Sequence, residues 1–143
     1  MTLYRSFGIM MRITSDSEPP MSKTTIIVLS DPNGGDEALG RVFNALAAAY
    51  DFKRQQRPVE LVFQGAGTRW PAVLAAPDHP VHALYDAVED IVAGASAGCA
   101  TVFGARDDVE HEGLALIANN PVPGTAGLPS IARFVSDGPV LTF

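Results

Sequence analysis

The chain has 143 residues, of which 47% are hydrophobic and 18% charged, and its net charge is −6. This length suits one domain, and the composition excludes an intrinsically disordered chain, because disorder requires low hydrophobicity and high charge. The negative charge repels phosphate backbones, so we expect no nucleic-acid partner. No apolar stretch approaches the roughly 20 residues of a membrane span, so we expect no membrane partner. A single cysteine, Cys99, excludes an intramolecular disulfide and favours a cytoplasmic location.

The first twenty residues differ from the rest of the chain. They show no helical or alternating pattern and end in two prolines, Pro19 and Pro20. They also lack the apolar segment of about 7–15 residues that a secretory signal needs. We therefore expect residues 1–20 to be a disordered N-terminal extension and residues 21–143 to form a single domain.

The start of this domain predicts a βαβ unit. Residues 24–29 form a β-branched run that is typical of a strand buried on both faces, and residues 30–36 are rich in turn formers. Asp36 is expected to cap a helix whose apolar residues recur at spacings of three and four, and residues 59–63 predict the second strand. The predicted apolar face of this helix consists of Leu39, Val42, Phe43, Leu46 and Tyr50.

Further strands and helices follow in chain order. We predict a short helix near Thr68 and Pro71, and then an amphipathic helix over residues 81–92 that ends at Gly94. A strand within residues 96–103 and a helix from Asp107 to about Ala118 follow. The last elements are a helix that starts at Pro129, with an apolar face of Leu128, Ile131, Phe134 and Val135, and a strand over residues 140–143. Alternating strands and helices predict an α/β fold. We expect a three-layer α/β/α sandwich around a mainly parallel sheet of about five strands.

Ligands of open parallel sheets bind at the carboxyl ends of the strands. The segments that follow the predicted strands are mostly rich in glycine, so their backbone N–H groups can approach a ligand closely. The candidate ligand-binding residues in these segments are Gly65, Gly67, Arg69, Ser96, Gly98, Arg106, Gly124 and Thr125.

Familiar catalytic and cofactor motifs are missing from the sequence. Trp70 stands where a dinucleotide-binding fingerprint beginning at Gly65 needs its third glycine, and the chain has neither a Walker motif nor a Gly-x-Ser-x-Gly elbow. His79, His82 and Asp86 do not converge as three metal ligands, so we expect no metal and no organic cofactor. A hydrolase using Asp31 or His79 is disfavoured, because no base–nucleophile pair is visible.

Cys99 is the residue best suited to covalent chemistry. A free cysteine usually behaves as an inert small hydrophobe. Here, however, small residues such as Gly98 and Ala100 surround it, and it lies near the end of a predicted strand, just before a helix. A thiol beside a helix N-terminus, or beside Arg69 or Arg106, is more nucleophilic because its thiolate is stabilised.

Four segments together resemble the DsrE/DsrF-like (YchN-type) family over about residues 23–143. They are TTIIVLSDPNGGDEALGRVFNAL, SAGCATVFGA, PVPGT and SDGPVLTF. The resemblance implies an α/β/α sandwich, assembly into trimers or hexamers, and transfer of sulfur as a persulfide on the cysteine after the third strand. Some relatives have Cys-x-x-Cys at residues 96–99, and the reactive cysteine of the sulfur carriers matches Ser96 here. Either Cys99 has taken that role or this branch has lost the chemistry.

Two functions follow as hypotheses. The first is a DsrE-like sulfur (persulfide) carrier, at most sulfurtransferase-like, that acts through Cys99, forms a homo-oligomer and uses sulfur donor and acceptor proteins as partners. The alternative is a non-catalytic oligomeric module that holds a small anionic ligand between residues 65–69 and 123–125, with a structural Cys99. Thiol labelling of the native protein separates the two hypotheses.

Overall fold

A five-stranded sheet forms the centre of the computed structural model, which describes residues 21–143; the predicted extension, residues 1–20, lies outside the described part. The strands are β1 (Thr24–Val28), β2 (Val59–Phe63), β3 (Val92–Ser96), β4 (Leu116–Ile117) and β5 (Val140–Thr142). Their order is β4-β3-β2-β1-β5, and every neighbouring pair is parallel. The helices are α1 (Gly35–Arg54), α2 (Trp70–Leu74), α3 (His82–Val88), α4 (Ala97–Val102), α5 (Arg106–His111) and α6 (Ile131–Asp137), with 3-10 turns at Gly65–Arg69 and Glu89–Ile91.

Helices lie on both faces of the sheet, which confirms the predicted three-layer α/β/α sandwich. Successive strand residues point to opposite faces, so Ile26 packs into a large core together with residues of α1 to α5, while Ile27 packs on the other face against Phe134 of α6. The chain steps in one direction from β1 to β4 and then returns to the far side of β1 through α6. Right-handed crossovers therefore place α6 alone among the described helices on the second face.

The first helix begins and packs differently from the prediction. Gly34, not Asp36, is the capping residue, and Asp36 lies in the first turn, where a negative charge favours the helix dipole. The predicted core residues Phe43 and Tyr50 are 49% and 39% exposed. Val42 and Leu46 are fully buried as predicted, but the rest of the buried stripe consists of the alanines Ala38, Ala45 and Ala49, which allow a close approach to the sheet.

The prediction was also wrong around the third strand. The helix predicted over residues 81–92 ends at Val88, and β3 already begins at Val92, so Gly94 lies inside a strand instead of ending a helix. A Cβ at Gly94 would lie 2.3 Å from the carbonyl oxygen of Ala115, so only glycine lets these two backbones come so close. The strand predicted within residues 96–103 is instead α4.

The last third of the chain needs smaller corrections. Helix α5 ends at His111 instead of near Ala118, because residues 116–117 form β4. Helix α6 begins after Ser130, whose side chain caps it, and not at Pro129. Of its predicted apolar face, Ile131 and Val135 are exposed, and Phe134 supplies the main contact with the sheet.

Candidate functional site

Three segments meet at the carboxyl edge of the sheet, as the α/β pattern predicts. They are the loop after β1, the 3-10 turn Gly65–Arg69 after β2, and α4 after β3, which contacts that turn. The buried indole of Trp70 connects the first two, because its Nε1 donates a hydrogen bond of 2.7 Å to the carbonyl oxygen of Ser30. This edge therefore has a fixed arrangement built from residues that are distant in sequence.

Arg69 lies at the centre of this edge, but its bonds go to groups other than Cys99. Its Nη1 donates to Oδ2 of Asp31 at 3.2 Å, and its Nε donates to the carbonyl oxygen of Phe103 at 3.1 Å. Its guanidinium carbon also lies 5.5 Å from the centre of the Phe103 ring. The side chain thus ties the loop after β1 to the end of α4, and Asp31 partly neutralises its charge.

The carboxyl group of Asp31 has a pKa below its ordinary value. The largest cause is a hydrogen bond of 3.0 Å from the backbone N–H of Asn33 to Oδ1. Desolvation acts in the opposite direction, and the hydrogen bond and charge of Arg69 lower the pKa further. Asp31 is therefore ionised at neutral pH and holds Arg69 in place.

Replacing Arg69 by glutamine is expected to raise the pKa of Asp31 while leaving it below its ordinary value, because the Asn33 N–H remains. A group with a lowered folded-state pKa contributes stability above its unfolded pKa and loses it as the pH falls through the folded value. The stability that Asp31 contributes should therefore be smaller in the variant, and its loss, which begins near the unfolded-state pKa in both proteins, should be complete at a higher pH in the variant. A carboxyl-detected NMR titration measures the pKa, and Lys53→Gln, which removes a distant ion pair with Asp90, is the control. An unchanged Asp31 pKa in Arg69→Gln would contradict the assignment.

Cys99 lies in the first turn of α4, directly after β3. Its backbone N–H donates to Oγ of Ser96 at 3.2 Å, and the cysteine itself is free and partly exposed. Ser96 is completely buried and serves as the N-cap of α4. Ser96, which the DsrE/DsrF-like resemblance aligns with a cysteine, therefore has a structural role here as a helix cap.

The predicted glycines of this edge mostly serve close packing. A Cβ at Gly67 would lie 2.3 Å from the carbonyl oxygen of Val28, and one at Gly98 would lie 2.8 Å from Cδ1 of Leu128. The backbone N–H of Gly98 also donates to the carbonyl oxygen of Gly127 at 2.7 Å. Gly65 has a φ of +56°, which a turn leaving a strand requires. These glycines bring the backbones of the edge together.

The remaining predicted site residues form their hydrogen bonds and ion pairs with partners other than Cys99. Arg106 forms an ion pair with Glu110 at 3.5 Å and a hydrogen bond with Thr101 at 3.4 Å. Gly124 and Thr125 are exposed in the loop after β4, where Oγ1 of Thr125 donates to the carbonyl oxygen of Val122 at 2.8 Å. The structure therefore brings Arg69, Ser96, Gly98 and Cys99 to one edge and gives Arg106 and Thr125 local partners.

One residue of this edge was missed by the sequence reasoning. Gln64 directly follows β2 and is 7% exposed, and its Oε1 is buried without a hydrogen-bond partner among residues 21–143. Phe63, the residue before Gln64, pairs with Ala95, and Cys99 lies four residues after Ala95 in the chain. A buried hydrogen-bond acceptor without a partner is rare in protein structures, and a donor from a bound ligand would satisfy it. The available signal was a polar residue immediately after the apolar strand.

Two features are absent from the part of the chain that the structure describes. Within residues 21–143, no three His, Cys, Asp or Glu side chains cluster in a way that would hold a metal ion. In the same range, no helix has the length and apolar character needed to cross a bilayer.

No protein-family model and no curated protein matches this chain. A solved structure of a conserved protein of unknown function from Bacteroides thetaiotaomicron is similar to it, with a TM-score of 0.56, 16% identity, and coverage of 87% of this chain and 100% of that one. This likeness shows the fold. The α/β/α architecture is thus shared with a second protein, while the DsrE/DsrF-like resemblance stays a prediction.

Proposed function

We propose that the protein carries sulfur as a persulfide on Cys99. The observation that carries this proposal is a free, partly exposed cysteine in the first turn of the helix after β3, at the edge where parallel sheets bind ligands. Cysteines that react are partly exposed, whereas structural cysteines are buried and inert. The DsrE/DsrF-like resemblance points to the same chemistry.

The proposed transfer has two steps that conserve atoms and electrons. The Cys99 thiolate attacks the terminal sulfur of a donor persulfide R–S–SH, so that a new S–S bond forms at Cys99 and the donor's S–S bond breaks, releasing R–S⁻. An acceptor thiolate then attacks the terminal sulfur, and the Cys99 thiolate leaves. No net oxidant or reductant is needed in either step.

The surroundings of Cys99 support an exchange with a partner. Phe103 lies one helical turn after Cys99, so the two share a face of the helix, and Arg69 stacks on Phe103. Val102 and Phe103 at the end of α4 are exposed apolar side chains. A second subunit, in the trimer or hexamer that the resemblance implies, or a sulfur donor or acceptor protein would bury this apolar surface beside the thiol.

Incubation with glutathione persulfide tests the proposal by intact-protein mass spectrometry. The wild-type protein should gain the mass of one sulfur atom and lose it again to an added acceptor thiol, and Cys99→Ser should gain nothing. The double variant Cys99→Ser/Ser136→Cys moves the only cysteine to an exposed position on α6 and should load more slowly. A mass gain that survives Cys99→Ser, or equal loading of the relocated cysteine, would contradict a specific role for Cys99.

A second candidate is a module that binds a small ligand without covalent chemistry at the same edge. The observation that favours it is the unpartnered Oε1 of Gln64, which would accept a hydrogen bond from a ligand. This function leaves Cys99 unreactive in the folded protein. Failure of sulfur loading, together with a ligand-induced rise in Tm that Gln64→Leu abolishes, would favour it.

A further inference from the structure

A cavity of about 220 Å³ lies between α6 and the second face of the sheet. Glu60 of β2 forms part of its floor, and Arg133 and Asp137 of α6 form part of its roof. Lys23, just before β1, and Asn119, after β4, also line it. The cavity is separate from the edge that holds Cys99, and none of the residues proposed above for sulfur transfer lines it.

Glu60 is a largely buried carboxylate on the face of the sheet that also carries the buried apolar residues Ile27 and Val62. Its side chain is only 16% exposed, and its Oε2 lies 3.3 Å from Nζ of Lys23. Its Oε1 accepts a hydrogen bond of 3.1 Å from Oγ1 of Thr25, which is fully buried. A carboxylate can accept about four hydrogen bonds, and two are accounted for here. Glu60 is therefore held in a fixed position with acceptor capacity left toward the cavity.

Helix α6 contributes one positively and one negatively charged side chain to the lining of the cavity. Arg133 and Asp137 lie one turn apart on α6, and both line the cavity. Within residues 21–143, neither side chain forms an ion pair, whereas five other pairs of opposite charge do. A guanidinium and a carboxylate thus face the cavity beside the ion pair of Lys23 and Glu60.

We propose that this cavity binds a small zwitterion of the α-amino-acid class. Two cations, Lys23 and Arg133, and two carboxylates, Glu60 and Asp137, balance to zero, so a ligand with one charge of each sign matches the lining. Arg133 binds the ligand's carboxylate, since a guanidinium pairs with a carboxylate through two parallel hydrogen bonds. The spare acceptors of Glu60, with the carboxylate of Asp137, bind its ammonium group.

Other ligand classes fit this lining less well. A phosphate would meet the carboxylates of Glu60 and Asp137, and a divalent cation would meet the positive charges of Lys23 and Arg133. Pockets for drug-sized ligands have volumes of about 300–1,000 Å³, and the smaller volume here, about 220 Å³, suits a small metabolite. Size and charge together therefore favour a free amino acid over a nucleotide or a metal ion.

The test is a screen of the protein amino acids, each added singly at millimolar concentration, by thermal unfolding and by amide NMR. At least one should raise Tm and shift the amide signals of Glu60 and Arg133. Its N-acetyl and methyl ester derivatives, which each lack one charge, should bind at least tenfold more weakly. The proposal is overturned if no amino acid binds, if the signals that move lie elsewhere, or if either derivative binds as well as the parent.

Three variants test where the site lies and whether it is independent of Cys99. Arg133→Gln removes an exposed side chain, so the fold should persist, and the affinity should fall at least tenfold. Arg54→Gln, on the opposite layer, is the matched control and should leave the affinity unchanged. Cys99→Ser should bind the amino acid normally, which separates this proposal from the proposed sulfur transfer. Equal affinity in Arg133→Gln and the wild type would overturn the assignment.

Discussion

Replacing Gly67 by alanine should destabilise the protein by about 3 kcal/mol or more. The added Cβ would lie 2.3 Å from the carbonyl oxygen of Val28 and 2.9 Å from its carbonyl carbon. Val28 is fully buried and pairs with Phe63 of β2, so its backbone cannot move aside without breaking the ladder. Urea unfolding monitored by circular dichroism measures the change.

A second glycine provides the control for this substitution. Gly40 lies inside α1, and a Cβ there would meet no atom within 4 Å. Gly40→Ala should therefore stabilise the protein by about 0.5–1 kcal/mol, because alanine loses less conformational freedom on folding. Similar free energies of unfolding for the two variants would show that the approach of Gly67 to β1 is not tight.

Replacing Trp70 by alanine is expected to cost about 3–5 kcal/mol of stability. The side chain is 1% exposed and packs in the main core, so its removal leaves a large void. Its Nε1 also donates to the carbonyl oxygen of Ser30, which fixes the loop after β1 against α2. Chemical denaturation provides the measurement, and the loop that holds Asp31 should lose hydrogen-exchange protection in the variant.

Phenylalanine at the same position separates the two contributions of Trp70. Trp70→Phe keeps most of the apolar volume but removes the N–H donor, so the expected cost is about 1–3 kcal/mol. Val102→Ala, at an exposed position near the same edge, should change stability by less than about 0.5 kcal/mol. A Trp70→Ala variant as stable as Val102→Ala would contradict the assigned role of the indole.

The strands with large apolar residues could be predicted from the sequence. Residues 24–29 are a continuous apolar or β-branched run, residues 59–63 are apolar except for Glu60, and the two segments form β1 and β2 almost as predicted. The third strand, Val92–Ser96, has the sequence VAGAS, whose small residues carry little periodic signal. Its place is fixed by tertiary packing against Ala115, which no local pattern reveals.

The candidate site was only partly predictable for the same reason. The position of Cys99 after the third strand follows from the order of elements, since parallel strands end at one edge. The pairing of Arg69 with Asp31 spans 38 residues, and the predicted neighbour of Arg69 was Cys99 instead. Whether a guanidinium binds a thiol or a carboxylate depends on side-chain positions that spacing alone does not give.

The most direct test of the proposed sulfur chemistry is the reactivity of Cys99 toward an alkylating reagent in the folded protein. The partly exposed cysteine should react without unfolding, at a rate that stays constant as urea is raised below the unfolding transition. A rate that rises in proportion to the unfolded population would show that the thiol is reached only in the unfolded chain. That result would contradict a role for Cys99 as a sulfur carrier.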